Sequence, residues 1–311
     1  MGLPETIQLN EEYARTVEHQ YQRMDSKLFG CVRTGTQAAV DSYENYIGPI
    51  EFHPIRTRNG PTVLQDVEHT RRRVTLTWHA AGIPLDRQDD FHSVTDLGGP
   101  YVQALRQGAA RLVDDTIYSG LGAIAYTGQK GATAVNVYDA GESRLIESNA
   151  TPVTEGSDFS NQTATVLTVA KLGIINGFFT NAKVPSDNRY LLINEYNKGQ
   201  LMTDTTLSDL EKVALRDIKE GDVPRVLGLN LIIMPDDFFT VNATDVECIE
   251  CYAWQREAVM FKSGVGQMMP NIFYGPRPDL NYTKQFWADC NVGSTRLRGP
   301  GVVKILLKKS A

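Results

Sequence analysis

Residues 85–92, Leu-Asp-Arg-Gln-Asp-Asp-Phe-His, gather three carboxylates (Asp86, Asp89, Asp90), a guanidinium (Arg87) and an imidazole (His92) into one short stretch. Carboxylates so spaced could share a helical face and hold a hard cation, or divide acid and base roles around a substrate. A calcium loop, however, turns its oxygen ligands around a sharp glycine. Here no glycine is present, and Arg87 stands among the acids. The cluster also precedes a long segment of helical periodicity, where acids favour the positive end of the helix dipole. It is therefore read as structural.

Other motifs lead to the same place. Gly120-Leu-Gly-Ala-Ile-Ala125 matches a relaxed dinucleotide pattern, but that mechanism needs a strand before the turn and a helix after it. In this chain the motif follows a helical pattern and leads into a Gly/Thr-rich loop. Cys248 and Cys251 form a C-x-x-C, yet zinc would need two further ligands at similar spacing, and Cys31 and Cys290 are isolated. No nucleophile elbow and no phosphate-binding loop occurs. All five histidines, His19, His53, His69, His79 and His92, lie in segments that read as arm rather than as a rigid pocket. No catalytic residue, no metal ligand and no cofactor is assigned, and the chain is not read as an enzyme.

The totals set limits. The chain has 311 residues, 41% hydrophobic and 22% charged, enough for one large core or two smaller ones. Its net charge of −6 argues against a protein that grips nucleic acid by neutralising phosphates. Local basic runs (Arg71, Arg72 and Arg73; Lys304, Lys308 and Lys309) read as solvated faces or contacts to acidic protein surface. No stretch approaches the ~20 apolar residues of a membrane span, and neither a secretory signal nor a disulfide framework is visible. A cytoplasmic origin is expected.

Periodicity gives the elements. Tyr13, Val17, Tyr21, Met24 and Leu28 predict an N-terminal amphipathic helix over 10–28. Arg-Arg-Val-Thr-Leu-Thr-Trp-His-Ala (72–80) alternates strictly. It predicts one strand with Arg73, Thr75, Thr77 and His79 on one face and Val74, Leu76, Trp78 and Ala80 on the other. With the Asn59-Gly60-Pro61 turn signal it suggests a long hairpin arm bearing Arg56, Arg58 and Arg71 to Arg73. Such an arm has too little core to stand alone. Val102, Leu105, Ala109, Leu112, Val113, Thr116, Ile117 and Leu121 mark a helix over 100–121, opened by Pro100 and ended by Gly120 and Gly122. Beyond it come a Gly/Thr-rich stretch, a helix over 168–185, a strand at 189–195, a helix over 208–221, a strand at 227–235 and a closing strand at 302–309. The chain is α+β, without regular β-α-β alternation or an internal repeat.

Five stretches in this order carry a resemblance: QYQRMDSKLFGCV (20–32), VTLTWHAAGIPLDRQDDF (74–91), ALRQGAARLVDDTIYSGL (104–121), NAKVPSDNRYLLINEYNKGQLMTD (181–204) and VGSTRLRGPGVVKILLKKS (292–310). Together they resemble the major capsid proteins of tailed bacteriophages, with the Hong Kong 97-type fold. The resemblance implies an N-terminal arm (1–46), an extended β-hairpin loop (47–84) and a peripheral domain with a spine helix (85–165). An axial domain (166–269) and a return to the peripheral domain (270–311) follow. It implies copies of the chain in hexamers and pentamers of an icosahedral virion shell around packaged double-stranded DNA, assembled in the host bacterial cytoplasm. DNA would be enclosed without sequence-specific binding, no membrane would take part, and scaffolding, portal and decoration proteins are further candidate partners. In this frame Arg56, Arg58, Arg71, Arg72, Arg73, Asp86, Asp89 and Asp90 are candidate contacts between subunits. Gly82, Gly98 and Gly99 are candidate hinges. An encapsulin-like compartment shell is the nearest alternative; a metal enzyme built on the aspartate cluster and a nucleic-acid module are more distant ones.

Overall fold

The computed structural model describes residues 25–54, 58, 64–85, 98–136, 144–146, 165–203, 225–242, 247–266 and 271–309. In chain order its elements are β1 (Arg33–Gln37), β2 (Asp41–Ile47), β3 (His69–Thr75), β4 (Thr77–Leu85), α1 (Gly98–Gly122), β5 (Ala125–Thr127), β6 (Thr133–Val135) and β7 (Arg144–Ile146). Then come α2 (Val169–Asn181), β8 (Arg189–Asn194), α3 (Glu195–Thr203), β9 (Arg225–Val226), β10 (Leu229–Met234), β11 (Cys248–Gln255), β12 (Val259–Gly264), β13 (Asn271–Arg277), β14 (Thr283–Arg296) and β15 (Val302–Lys308). Arg56, Asp86, Asp89 and Asp90, the predicted helix over 208–221 and most of that over 10–28 lie outside the described residues.

The strands form three sheets among the described residues. One runs β7-β15-β11-β8-β10-β9, and its strands are the apolar runs of the sequence because they are covered on both faces. Val302 to Leu307 are all buried. The closing strand thus shares a sheet with the 189–255 segment, although the sequence partition put the two in different domains. A second sheet runs β1-β12-β14-β13, with β4 on the free edge of β14. The third, β2-β3-β5-β6, is the arm sheet.

Helix α1 links these layers. Its 25 residues span roughly 37 Å at 1.5 Å each. Near its start, Tyr101, Val102 and Leu105 pack on Leu85, Phe286 and Ala288 of the second sheet. Near its end, Ile117, Tyr118 and Leu121 enter the main core with Tyr252 and Val292. The Tyr118 hydroxyl donates to the Glu250 carbonyl (2.8 Å) and accepts from the Thr240 amide (3.0 Å). The helix stop differs from the one read in the sequence. Gly120 is not a left-handed terminator; a Cβ there would meet Ser294, so its smallness lets the helix lie close on β14. The last carbonyls are taken by Arg296, fully buried, whose guanidinium donates to Leu121 and Ala123.

Two further readings change. Residues 25–28 are bends leading into a 3-10 turn at Phe29–Cys31, not the end of a helix. Asp114 on α1 is the reason: its buried carboxylate accepts from the Ser26 hydroxyl and from the amides of Lys27 and Leu28, bonds a helix would not leave free. The predicted single strand at 72–80 is two, broken at Leu76, where the chain passes from the arm sheet to the edge of β14. Val74 and Leu76 are buried as the alternation requires, but Trp78 stands on the open face of the second sheet.

Lys171 on α2 is almost fully buried, and its ammonium donates to Thr165. Burial lowers its pKa to about 8 from an ordinary 10.5. Between those values the unfolded chain holds a proton that the folded chain has lost, so stability should rise with pH from about 8 to 10.5, the burial cost being full below 8. Lys171→Met should remove that slope and stabilise the protein by about 2 kcal/mol at pH 7, checked by urea titrations across pH 7 to 10. Asp114→Ala strips three donors of their acceptor and should cost about 3 kcal/mol, against about 1 for Ser26→Ala, in the same titrations.

Candidate assembly interface

The arm sheet grows from its root. β2 and β3 pair antiparallel from Asp41 opposite Thr75 to Ile47 opposite His69, the two legs of a hairpin. Val74 of β3 packs with Met260, Leu297 and the ring of Tyr46, a small cluster separate from the main core. Beside it, Lys262 of β12 reaches up to β2. Its ammonium bonds the Glu44 carboxylate (2.5 Å) and the Ser42 hydroxyl (2.8 Å), and Ser42 in turn donates to Gln37. Apolar contact and a nearly buried ion pair thus fix the arm sheet to the second sheet.

The arginine ladder is divided by the pleat. Arg71 and Arg73 share one face: Arg71 donates to Asn45 (2.7 Å) and to the Gln129 carbonyl (3.0 Å) and lies over the Tyr43 ring. Arg73 lies 4.6 Å from the Tyr126 ring centre and 4.0 Å from Asp41. These contacts are worth about 1 kcal/mol each at exposed sites. Arg72 points the other way and is buried. Arg58 is exposed in a turn. The ladder therefore already has partners within its own chain, which pure alternation could not reveal.

Past the root, apolar side chains stand in solvent. Phe52 is 99% exposed, Leu64 91%, Ile47 67% and Ile50 58%. A second group lies on the sheet built on β14: Trp78, Phe273 and Trp287 share its open face, and Phe273 and Trp287 are 5.6 Å apart. Exposed apolar side chains in contact, as Phe273 and Trp287 are, mark an interaction surface. Neither group follows from periodicity. Phe52 and Leu64 lie in segments without a period, and Trp78 and Trp287 look like core positions.

The cysteines lie apart from this surface, in the interior or at its edge. Cys248 and Cys251 are fully buried, and an odd spacing on β11 sends their side chains to opposite faces. Burial holds the Cys251 thiol well above its usual range and the Cys31 thiol up at about 11. Among the described residues no three His, Cys, Asp or Glu side chains converge on a metal-sized site, and no helix is long and apolar enough to cross a membrane. Lys304, read as part of a solvated run, is buried and pairs with Glu250.

A family model described as phage capsid protein matches residues 6–309. No curated protein matches the sequence. Among solved structures, the capsid of Ralstonia phage GP4 is similar with a TM-score of 0.74 and 11% identity, over 98% of this chain and 96% of that one. The capsid asymmetric unit of cyanophage Pam1 gives 0.71 and 14%, over 99% and 98%. The acid-stable capsid of Helicobacter pylori bacteriophage KHP30 gives 0.69 and 12%, over 98% and 96%. At such identities these likenesses show the fold, the α+β phage capsid fold that the sequence suggested.

The root of the arm yields a double-mutant cycle. Lys262→Met leaves Glu44 without its cation and should cost about 2 kcal/mol, discounted because the Glu44 side chain is 22% exposed. Adding Glu44→Gln should recover at least half, read as urea midpoints of the unassembled subunit.

Proposed function

Since the chain belongs to the phage capsid protein family and is a major capsid protein, we propose that its copies tile a closed icosahedral shell of hexamers and pentamers around packaged double-stranded DNA. One observation carries this reading: an arm sheet anchored by a few apolar residues, with Phe52, Leu64, Ile47 and Ile50 left in solvent beyond its root. Covering such side chains gains about 2 kcal/mol each, and an arm lying on a sister copy adds interface that a compact domain lacks.

The sequence partition fits this scheme with the modification the sheets suggest. Residues 47–84 act as the extended loop, α1 as the spine of the peripheral domain, and 166–269 together with β15 as the axial domain. Arg56, Arg58, Arg71 and Arg73 of the loop segment, with Asp86, Asp89 and Asp90 after it in sequence, set register between copies by charge, whereas Arg72 is buried in its own chain. A subunit of net charge −6 leaves packaged DNA free to move during filling. Assembly takes place in the host cytoplasm, with scaffolding, portal and decoration proteins as further partners. The family match and the sequence stretches that resemble phage capsid proteins favour this reading over a cargo compartment.

Electron microscopy of the expressed protein decides the matter. Closed icosahedral particles are expected at high concentration. A chain that remains monomeric there would end the proposal, and particles loaded with an enzyme cargo in place of DNA would redirect it to a compartment shell.

A further inference from the structure

Between the arm root and the loops that close the six-stranded sheet lies an open cleft of about 460 Å³. Three cations line it, Arg72, Lys183 and Arg298, and no carboxylate among the described residues does. This is a basic concavity on a protein with an excess of acids. The Tyr46 hydroxyl is buried in its wall without a hydrogen-bond partner. Burial, and then the nearby Glu44 charge, push its pKa far up, so it remains a donor. Glu44, whose carboxylate bonds Lys262, makes no hydrogen bond to it. The Arg298 guanidinium stacks 5.6 Å from the centre of the Tyr46 ring. No ion pair or side-chain hydrogen bond engages Arg298 or Lys183 among the described residues. Two exposed cations thus border a cleft that holds no carboxylate of its own among the described residues.

Lys183 adds an independent sign. It ends α2 in a Schellman arrangement: Val184 N–H bonds the Phe179 carbonyl (2.8 Å) and Lys183 N–H the Thr180 carbonyl (3.0 Å). Lys183 has φ 56°, in the left-handed region that favours glycine. A lysine there strains the backbone, and its exposed side chain borders the cleft. Strain retained beside unpartnered donors is the pattern of a binding site.

We infer that this cleft receives a carboxylate-bearing segment of a second copy of the chain, the acid held by Lys183 and Arg298. The inference rests on the shell reading above. Charge complementarity identifies the occupant: each copy carries 37 acidic side chains against 31 basic ones. Pro49, Val184, Pro185 and Leu297 give the cleft apolar walls suited to a peptide rather than a bare ion. The cleft also opens at the arm root, where contact between copies is already proposed. Arg72 shapes its floor.

The test uses the full chain and its assembled particles. Lys183→Gly relieves the left-handed strain, so the unassembled subunit should keep or raise its Tm. Combined with Arg298→Gln, it should raise the concentration for half-maximal assembly, read by light scattering and electron microscopy, about tenfold. Tyr46→Phe, which removes a buried hydroxyl that the occupant does not reach, should leave that concentration unchanged. Carbodiimide treatment of wild-type particles should link Lys183 to a carboxylate of another copy, identified by mass spectrometry of particles mixed from heavy- and light-isotope subunits. Unchanged assembly of the double variant, with Lys183 linked to no other copy, overturns the inference while wild-type shells leave the shell reading standing. Normal assembly with lost binding of a double-stranded oligonucleotide overturns it in favour of phosphate. Wild-type chain that never forms shells overturns both.

Discussion

A sheet with one small apolar cluster beneath it cannot supply its own burial, and that constraint governs this molecule. The arm strands β2 and β3 rest on Val74, Met260, Leu297 and Tyr46, and little else apolar holds them. A hairpin of this kind is marginal in water unless something covers it. Yet the arm does not simply dangle. Lys262, Glu44, Ser42 and Gln37 form a connected polar strut at its root, and the Arg71 and Arg73 guanidiniums lie on aromatic rings of their own sheet. The root is defined by directional bonds, and the distal apolar side chains are left for another surface.

The body provides the rigidity that such an arm needs. Helix α1 carries one end of its apolar stripe into the second sheet and the other into the main core, so both sheets share one lever. Close approach at Gly120 and the buried Arg296 fix where that lever ends. Buried charge recurs at these junctions: Arg296 at the helix end, Asp114 at the chain entry, Lys304 with Glu250 between β15 and β11. Such groups are weak sources of stability, because desolvation offsets much of the attraction, but a buried charge left unpaired is costly. Each therefore penalises alternative packings of the layers it joins, which suits a subunit whose shape must repeat.

Much of the scaffold was legible because it depends on local pattern. The helix over 100–121, the buried strands at 189–195 and 227–235, the helix before Pro185 and the closing strand all lie within a few residues of their predicted bounds. The rejection of the dinucleotide motif rested on context, and Gly120 and Gly122 indeed lie inside α1, packed against Ser294 and Tyr252. The arginine run was seen as a contact surface, and alternation splits it between two faces, but that Arg72 is buried follows only from knowing what lies under β3. Strand 72–80 failed as a single element because strict alternation is silent about which sheet a strand joins. Trp78 has the periodicity of a core residue and the environment of a surface one.

The sequence by itself determined the element types, the absence of known catalytic motifs and the family, since each is written in periodicity or in the order of recognisable stretches along the chain. Tertiary structure alone decided that β15 sits beside β11, that Lys262 meets Glu44 across 218 positions of sequence, and that Tyr46, Lys183 and Arg298 surround one cleft. The reason is physical. Local pattern records the faces an element must bury, whereas the partners on those faces are chosen by chain crossings and by the competition of all layers for burial, which no window of neighbouring residues contains.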